Sequence, residues 1–128
     1  MKNITIEFIK KFIASNHIPF TPTQQRLCVP IILRMCQKMS NDIKFDEIKV
    51  CDDLIIDGHH RYLSSLMMNF KLDHVLSNST SATQKIEWRL VEFDEEDWDT
   101  QAKIEYLNEI DAKFNNVEIE FVRQITSR

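Results

Sequence analysis

The chain has 128 residues, of which 43% are hydrophobic and 28% are charged, and its formal net charge is −4. A chain of this size and composition can build one hydrophobic core, and it is too apolar to be disordered, so we expect residues 1–128 to form a single domain. The acidic balance argues against general binding to a nucleic-acid backbone, which basic proteins achieve, but it leaves room for a local basic pocket.

Cysteine usage and hydropathy limit the class of protein further. The three cysteines include no CxxC pair and are odd in number, which predicts buried reduced thiols rather than a disulfide framework or a zinc cluster. No apolar stretch approaches the roughly 20 residues that span a bilayer, and MKNITIEFIKK lacks the apolar segment and cleavage site of a signal peptide. We therefore expect no membrane partner, and either a cytoplasmic location or delivery as a secreted effector by a specialised system.

In chain order, the first half of the sequence predicts two helices and a hairpin. Apolar residues at helical spacing predict an N-terminal helix over about residues 4–15, capped by Asn3 or Thr5. A second helix is predicted with Thr23 as its cap and with Pro30 distorting its first turn. Alternation in IKFDEIKVCDDLIID then predicts two short strands joined by a tight polar turn.

The second half predicts helices and strands in turn. HHRYLSSLMMNF predicts a helix, LDHVLSN a strand, SNSTSATQ a loop and KIEWRLVEF another strand. An acidic first turn and apolar spacing predict a C-terminal helix over about residues 99–114, and VEIEFVRQI predicts a final strand or an extended tail. Trp88 and Trp98 are expected to anchor the core. The pattern indicates an α/β fold, a small mixed sheet with packed helices.

Two polar groups near the C-terminal helix have both structural and functional explanations. Asn108, Asp111 and Asn115 have a spacing that places them on one helix face. A solvated face is the preferred explanation, and completion of a binding site is the alternative. The run DEEDWD could bind a metal, but an acidic turn that complements the helix dipole is preferred.

The single glycine, Gly58, stands where a strand pattern changes to a helical one, in IIDGHHRYL. Glycine tolerates unusual backbone angles and close approach, and the free N–H groups at a helix start favour an anion. Arg61 adds a bidentate phosphate donor, His59 and His60 add donors or proton carriers, and Asp57 could serve as a base or metal ligand. The alternative is that glycine makes the turn, the aspartate caps the helix and the histidines lie on the surface.

The segment IIDGHHRYLSSLMMN resembles the signature of the ParB/sulfiredoxin superfamily, in which a strand leads into a glycine-bearing turn and a helix that begins with an arginine. Upstream, TPTQQR is similar to the P-x-Q-x-R segment of ParB N-terminal domains. The DGHHRY form and WRLVEFDEEDWDTQAKIEYLNEIDAKFNN most resemble ParB-like domains of bacterial polymorphic toxins, and a DGHHR turn is also found in ADP-dependent free-serine kinases of the superfamily. The resemblance implies a domain of ParB/sulfiredoxin type with a nucleotide or phosphate pocket.

The sequence departs from two branches of that superfamily. His59 stands where sulfiredoxins carry their nucleophilic cysteine, so the resemblance does not imply sulfinic-acid reduction. His59 and His60 replace the acid and the first arginine of the GERR-like segment of CTP-hydrolysing ParB proteins, and no helix-turn-helix pattern follows. The resemblance therefore does not extend to a CTP switch of the chromosome-partitioning kind.

These features predict an enzyme that binds a nucleotide (ATP, ADP or CTP) or a phosphorylated small molecule, and that transfers a phosphoryl group or hydrolyses the nucleotide. The phosphates would lie over Gly58 and the following N–H groups, with Arg61 as the clamp. His59 and His60 would donate hydrogen bonds or shuttle protons, and Asp57 would orient a nucleophile or Mg²⁺.

Two further residues complete the predicted site. Glu47 could deprotonate a substrate hydroxyl, and Arg26 would contact phosphate if PTQQR lies beside the turn. A ParB-like nuclease toxin acting on nucleic acid is one alternative, which the acidic net charge disfavours. The other is a non-catalytic module that binds a protein such as a cognate immunity protein, through an apolar patch on the Met67-Met68 helix or on the first helix.

Overall fold

The protein is a single small α/β domain, and its computed structural model describes residues 4–127. A turn of 3₁₀ helix at Trp88–Leu90 precedes the last strand. The helices and strands, in chain order, are α1 (Ile6–Ser15), β1 (Arg26–Cys28), α2 (Val29–Ser40), β2 (Ile48–Cys51), β3 (Leu54–Asp57), α3 (His59–Met67), β4 (His74–Leu76), β5 (Glu92–Asp94), α4 (Gln101–Asn115) and α5 (Ile119–Thr126).

The strands form a three-stranded mixed sheet and a separate parallel pair. β2 and β3 form the predicted antiparallel hairpin, and β4 pairs parallel with the other edge of β2, in the order β3-β2-β4. β1 pairs parallel with β5. An isolated β-bridge between Thr21 and Leu54 places the segment before β1 alongside β3. This pairing brings that segment close to the start of α3.

The hydrophobic core lies between the helices and the sheet. Ile9 of α1, Ile32 of α2 and Leu63 of α3 are fully buried in its main cluster. Ile48 and Ile55 are buried in a second cluster that packs the sheet against α3. None of the helices in the described part of the chain is long and apolar enough to cross a membrane.

Several local predictions are confirmed. α1, α3 and β4 form where their patterns predicted, and Thr5 caps α1 by accepting a hydrogen bond from the Phe8 N–H at 3.1 Å. Asn3, the other candidate cap, lies outside the described residues. The cysteines are unpaired; Cys28 and Cys36 are buried, whereas Cys51 is half-buried.

The predicted start of α2 is wrong. Residues 26–28 pair with β5, so the helix begins at Val29, well after Thr23. Pro30 lies in the first turn, where its missing N–H has no partner to lose, and it therefore does not distort the helix. The Thr23 hydroxyl instead donates to the Ile55 carbonyl at 2.6 Å.

The C-terminal third departs furthest from the prediction. VEIEFVRQI forms α5, not a strand or tail, and KIEWRLVEF forms the 3₁₀ turn followed by β5. Trp88 packs against the core and donates its Nε1–H to the Phe20 carbonyl at 2.8 Å, as an anchor would. Trp98 is 44% exposed and does not anchor the core.

α4 turns its polar face inward, so the prediction of a solvated face there is wrong. Asp111 forms an ion pair with Lys38 of α2 at 2.5 Å. The Asn115 side chain accepts from the Lys44 N–H at 2.6 Å and donates to the Lys44 carbonyl at 2.9 Å. Asn108 donates to a threonine hydroxyl of α5 at 3.2 Å. These contacts tie α4 to α2, to the loop after α2 and to α5.

The Lys38–Asp111 pair yields a stability prediction, because both side chains are largely buried. Lys38→Met leaves the Asp111 carboxylate buried without its partner and should lower the free energy of unfolding by about 3 kcal/mol. The double variant Lys38→Met/Asp111→Leu removes both charges and should recover most of that loss. Urea unfolding at pH 7 measures both effects. The matched control is Arg89→Met, which breaks an exposed pair with Glu87; a Lys38→Met effect no larger than the control would contradict the prediction.

Candidate functional site

The predicted strand-to-helix turn is present, and Gly58 is its central residue. β3 ends at Asp57, and Gly58 is the N-cap of α3 with φ 97° and ψ 32°, in the left-handed region. A Cβ atom at this position would lie 2.7 Å from Ile48 Cγ2 and 2.8 Å from Arg61 Nη2. Glycine is therefore required both by the backbone conformation and by the buried Ile48 side chain.

A cavity of about 180 Å³ opens at this turn. Larger clefts lie elsewhere on the surface, so the chemistry of the cavity, rather than its size, makes it the candidate site. It contains all five residues of the DGHHR segment. The lining residues are Gln24, Met35, Ile56, Asp57, Gly58, His59, His60 and Arg61.

Both histidines are held through their Nε2 atoms. His59 Nε2 accepts from the Thr23 N–H at 2.9 Å, and His60 Nε2 accepts from the Cys28 N–H at 2.9 Å. A ring nitrogen that accepts carries no proton, so each neutral imidazole has its proton on Nδ1. No acceptor within residues 4–127 is hydrogen-bonded to either Nδ1. His59 is 4% exposed and His60 is half-buried, so neither ring is the free surface residue of the alternative explanation.

Burial lowers the pKa of both histidines to about 4. The Asp57 carboxylate partly opposes this shift at His59, and the neighbouring His59 adds to it at His60. Both rings are therefore neutral at pH 7, and each presents one N–H donor. This geometry supports the predicted donor role and gives no support to a proton shuttle near neutral pH, because the pKa lies far from 7 and a backbone amide occupies Nε2.

Arg61 folds back over the turn that it follows. Its Nη2 donates to the Glu47 carbonyl at 3.1 Å and lies 3.7 Å from Asp57 Oδ2. Its Nε is buried and, within the described chain, has no hydrogen-bond partner. A buried donor without an acceptor is rare and destabilising by about 1–3 kcal/mol, so Arg61 retains an unsatisfied donor beside the cavity that it lines.

The backbone at the start of α3 provides further donors. The Tyr62 N–H bonds to the Gly58 carbonyl at 2.9 Å and is the first helical amide with an acceptor. The N–H groups of His59, His60 and Arg61 have no acceptor among residues 4–127. Together with the helix dipole, such free N–H groups favour a negatively charged group.

Asp57 places a carboxylate at the mouth of the cavity, where it is 64% exposed. It does not cap α3, since no side chain accepts a hydrogen bond at that helix start, and the alternative that made it the cap is wrong. The negative charge of Asp57 would repel a bound anion unless Arg61 or a divalent cation neutralises it. Within residues 4–127, no group of three or more His, Cys, Asp or Glu side chains is placed to hold a metal.

Two predicted site residues lie outside the cavity. The Arg26 guanidinium bonds to Asp94 at 3.1 Å and pairs with Glu92, across the β1–β5 pair. Arg26 is the exposed residue of β1, whereas Leu27 and Cys28 are buried. The Glu47 backbone carbonyl accepts a hydrogen bond from Arg61, and Glu47 lines a different cleft. The phosphate role of Arg26 and the base role of Glu47 therefore have no geometric support.

The site also contains residues that the sequence did not single out. Gln24 and Met35 line the cavity, and the backbone amides of Thr23 and Cys28 fix the histidine rings. The TPTQQR similarity was a signal for this segment, but it pointed to the arginine rather than to Gln24 and the amides. Met35 carries no signal in the sequence, since its position on α2 resembles any other apolar helical residue.

Comparisons of the chain with protein-family profiles, with curated proteins and with solved structures gave no match. The function of the cavity is therefore argued from its own donors, charges and size.

The buried histidines predict a loss of stability in acid. The unfolded chain, whose histidines titrate near pH 6.5, binds more protons than the folded chain between about pH 6.5 and 4, so the free energy of unfolding falls as the pH falls through that window. From the folded pKa of about 4, His59 alone should account for about 2 kcal/mol between pH 7 and pH 5.

Urea unfolding at several pH values measures this dependence. The variant His59→Gln keeps an acceptor for the Thr23 N–H and removes the titration, so its stability should change less between pH 7 and pH 5. His17→Gln, at an exposed position, is the matched control and should behave as the unmodified chain. A steep acid loss that persists unchanged in His59→Gln would contradict the assignment.

Proposed function

We propose that the protein binds a phosphate group of a nucleotide or a phosphorylated small molecule at the start of α3. The observation that carries the proposal is a set of hydrogen-bond donors on residues that line one small cavity, for which residues 4–127 provide no acceptor. They are the first-turn N–H groups of α3 and the Nδ1–H groups of His59 and His60, and the Arg61 guanidinium adds a positive charge to the same lining. Phosphate oxygens are charged acceptors that would satisfy both kinds of donor and pair with the guanidinium.

The size of the cavity limits what it can enclose. Pockets that enclose a whole drug-sized ligand measure roughly 300–1,000 Å³, and this cavity measures about 180 Å³. A phosphate group fits that space, whereas the sugar and base of a nucleotide would lie over the surface around the mouth. The site thus favours recognition of the phosphate over recognition of the base.

The DGHHR segment adds an independent reason for this proposal. Its resemblance to the ParB/sulfiredoxin superfamily implies a phosphate or nucleotide pocket at the same glycine-bearing turn at which the donors converge. The resemblance to toxin-type ParB-like domains supports a role as an effector, whether the chain acts in the cytoplasm or is delivered by a specialised system.

The same groups would serve phosphoryl transfer. Arg61 would stabilise charge on the transferred group, and the histidine N–H groups would hold its oxygens. Asp57 is the carboxylate among the lining residues, and it would accept the proton of an attacking hydroxyl or water as that oxygen bonds to phosphorus and the bond to the leaving nucleotide or alcohol oxygen breaks. Alternatively, Asp57 would hold Mg²⁺, which is often bound by one or two carboxylates together with substrate phosphates.

A non-catalytic protein-binding module is the second candidate, and exposed apolar residues favour it. The patch does not lie where the sequence suggested, because Phe12 of α1 and Met67 of α3 pack against the core and are partly buried. It lies on α4 and α5 instead. No observation on the described residues favours the nuclease alternative.

Binding is tested by thermal-shift titration with inorganic phosphate, ATP, ADP, CTP and GTP, each with and without Mg²⁺. A ligand that binds the folded state raises the melting temperature. Arg61→Gln removes the charge and the fork of donors, and we expect it to weaken binding about tenfold or more, equivalent to about 1.4 kcal/mol. Each shift is taken relative to the variant's own ligand-free Tm, because the Glu47 contact is lost as well.

The control is Arg89→Gln, which makes the same charge change at an exposed arginine outside the cavity. Its shifts should equal those of the unmodified chain. Equal shifts in Arg61→Gln, or no shift with any of the five ligands, would refute the proposed phosphate site.

Turnover is tested separately, with the ligand that binds. Asp57→Asn keeps the size of the side chain and removes its basicity, so we expect phosphate release to fall at least about 100-fold, as for loss of a general base, while the thermal shift persists without Mg²⁺. Phosphate release by the unmodified chain that survives unchanged in Asp57→Asn would exclude Asp57 as the base.

A further inference from the structure

α4 carries exposed apolar residues on the side that faces away from the core. Tyr106, Ile110 and Phe114 recur every four residues, so they form one line along the helix, and each is between 43% and 56% exposed. Val117, in the link between α4 and α5, and Phe121, in the first turn of α5, are 37% and 41% exposed, and they line one cleft together with Phe114. We call these five residues the apolar stripe.

The stripe is unusual because three large apolar residues of the helix are exposed, whereas its buried residues are the small Ala112 and the polar Asn108. Asn108, Asp111 and Asn115 point inward and make hydrogen bonds or ion pairs. An ordinary surface helix has the reverse arrangement, with its apolar residues toward the core. The exposed line of apolar residues is therefore available to a partner, and a continuous line differs from the scattered single hydrophobic residues of an ordinary surface.

We propose that the apolar stripe is the contact face of a symmetric homodimer, in which two copies of α4 pack antiparallel about a two-fold axis at residue 110. A two-fold interface brings the same patch of both copies together, so a patch must complement itself. In this arrangement Ile110 lies beside the partner's Ile110, and Tyr106 lies beside the partner's Phe114. Each apolar residue of α4 thus meets an apolar residue of the other copy.

The charges along the edge of the stripe select this register. Glu109 and Lys113 are both exposed and lie one turn apart on the same flank of Ile110. With the axis at residue 110, the partner's Lys113 lies only about 3 Å along the helix axis from the level of Glu109. The two long side chains of opposite charge therefore meet, and Lys113 meets the partner's Glu109 in the same way. A parallel pairing would set like charges level with each other along this flank, which is unfavourable.

The area of the stripe suits a modest interface. Aromatic side chains bury roughly 150–250 Å² each, so the half-exposed stripe offers on the order of 400 Å² of apolar surface per copy. With its polar rim, two copies would bury about 1,200 Å², which is the low end for specific complexes. We therefore expect a dissociation constant in the micromolar range. The proposal does not depend on the phosphate site, which lies at the start of α3.

The oligomeric state is measured by sedimentation velocity and by light scattering, from about 1 to 200 µM protein. The unmodified chain should approach twice the mass of one chain at the upper concentrations. Ile110→Asp should remain at the mass of one chain throughout, with an unchanged circular dichroism spectrum. The matched control is Leu90→Asp, at an apolar residue that is 48% exposed outside the stripe; it should dimerise as the unmodified chain does.

Charge exchange tests the register at low salt. Glu109→Lys and Lys113→Glu each place like charges opposite each other twice, and each should raise the dissociation constant roughly tenfold. The double variant Glu109→Lys/Lys113→Glu restores both pairs and should return the constant to within about threefold of the original. Lys10→Glu on α1, an exposed charge reversal, should have little effect.

Three results would overturn the proposal. A chain that stays at the mass of one copy up to 200 µM has no such dimer. Dimerisation that Ile110→Asp leaves intact uses another face. A double variant that is weaker than both single variants excludes the antiparallel register. Because none of these measurements involves phosphate, their outcome is distinguishable from a failure of the proposed binding site.

Discussion

Two hydrogen bonds, from the backbone amides of Thr23 and Cys28 to the Nε2 atoms of His59 and His60, connect the start of α3 to the segment that precedes α2. This segment runs beside β3 and then becomes β1, so it touches both sheets. Fixing the two rings to it holds the strand, the glycine turn and the helix as one unit. The arrangement needs neutral imidazoles, because a protonated Nε2 could not accept from an amide.

The burial of His59 and His60 also determines the charge of the cavity, because it keeps both rings neutral. With both histidines neutral, Arg61 is the cation at the turn and Asp57 is the anion. The charges of these two residues cancel, so an anion would be held mainly by hydrogen-bond donors. A protein with an overall charge of −4 could still hold phosphate there, because oriented N–H groups and the dipole of α3 act over short distances. The acidic surface and a local anion site are thus compatible.

In the C-terminal part of the chain, α4 adds buried polar contacts to the packing of Ala112 against the core. The Lys38 pair and the Asn115 bonds attach it to α2 and to the following loop. Buried polar contacts of this kind are directional, so they fix the rotation of the helix about its axis. That rotation is what leaves Tyr106, Ile110 and Phe114 outside.

Sequence by itself determined the features that depend on local spacing. The periods of α1, α3 and the hairpin, and the need for glycine between β3 and α3, could all be read from neighbouring residues. Tertiary structure decided the rest, because those features depend on residues far apart in the chain: Arg26 bonds to Asp94, 68 positions away, which removes it from the turn. The histidine tautomers and the inward face of α4 likewise follow from distant backbone amides and from Lys38, which no periodicity of the local sequence encodes.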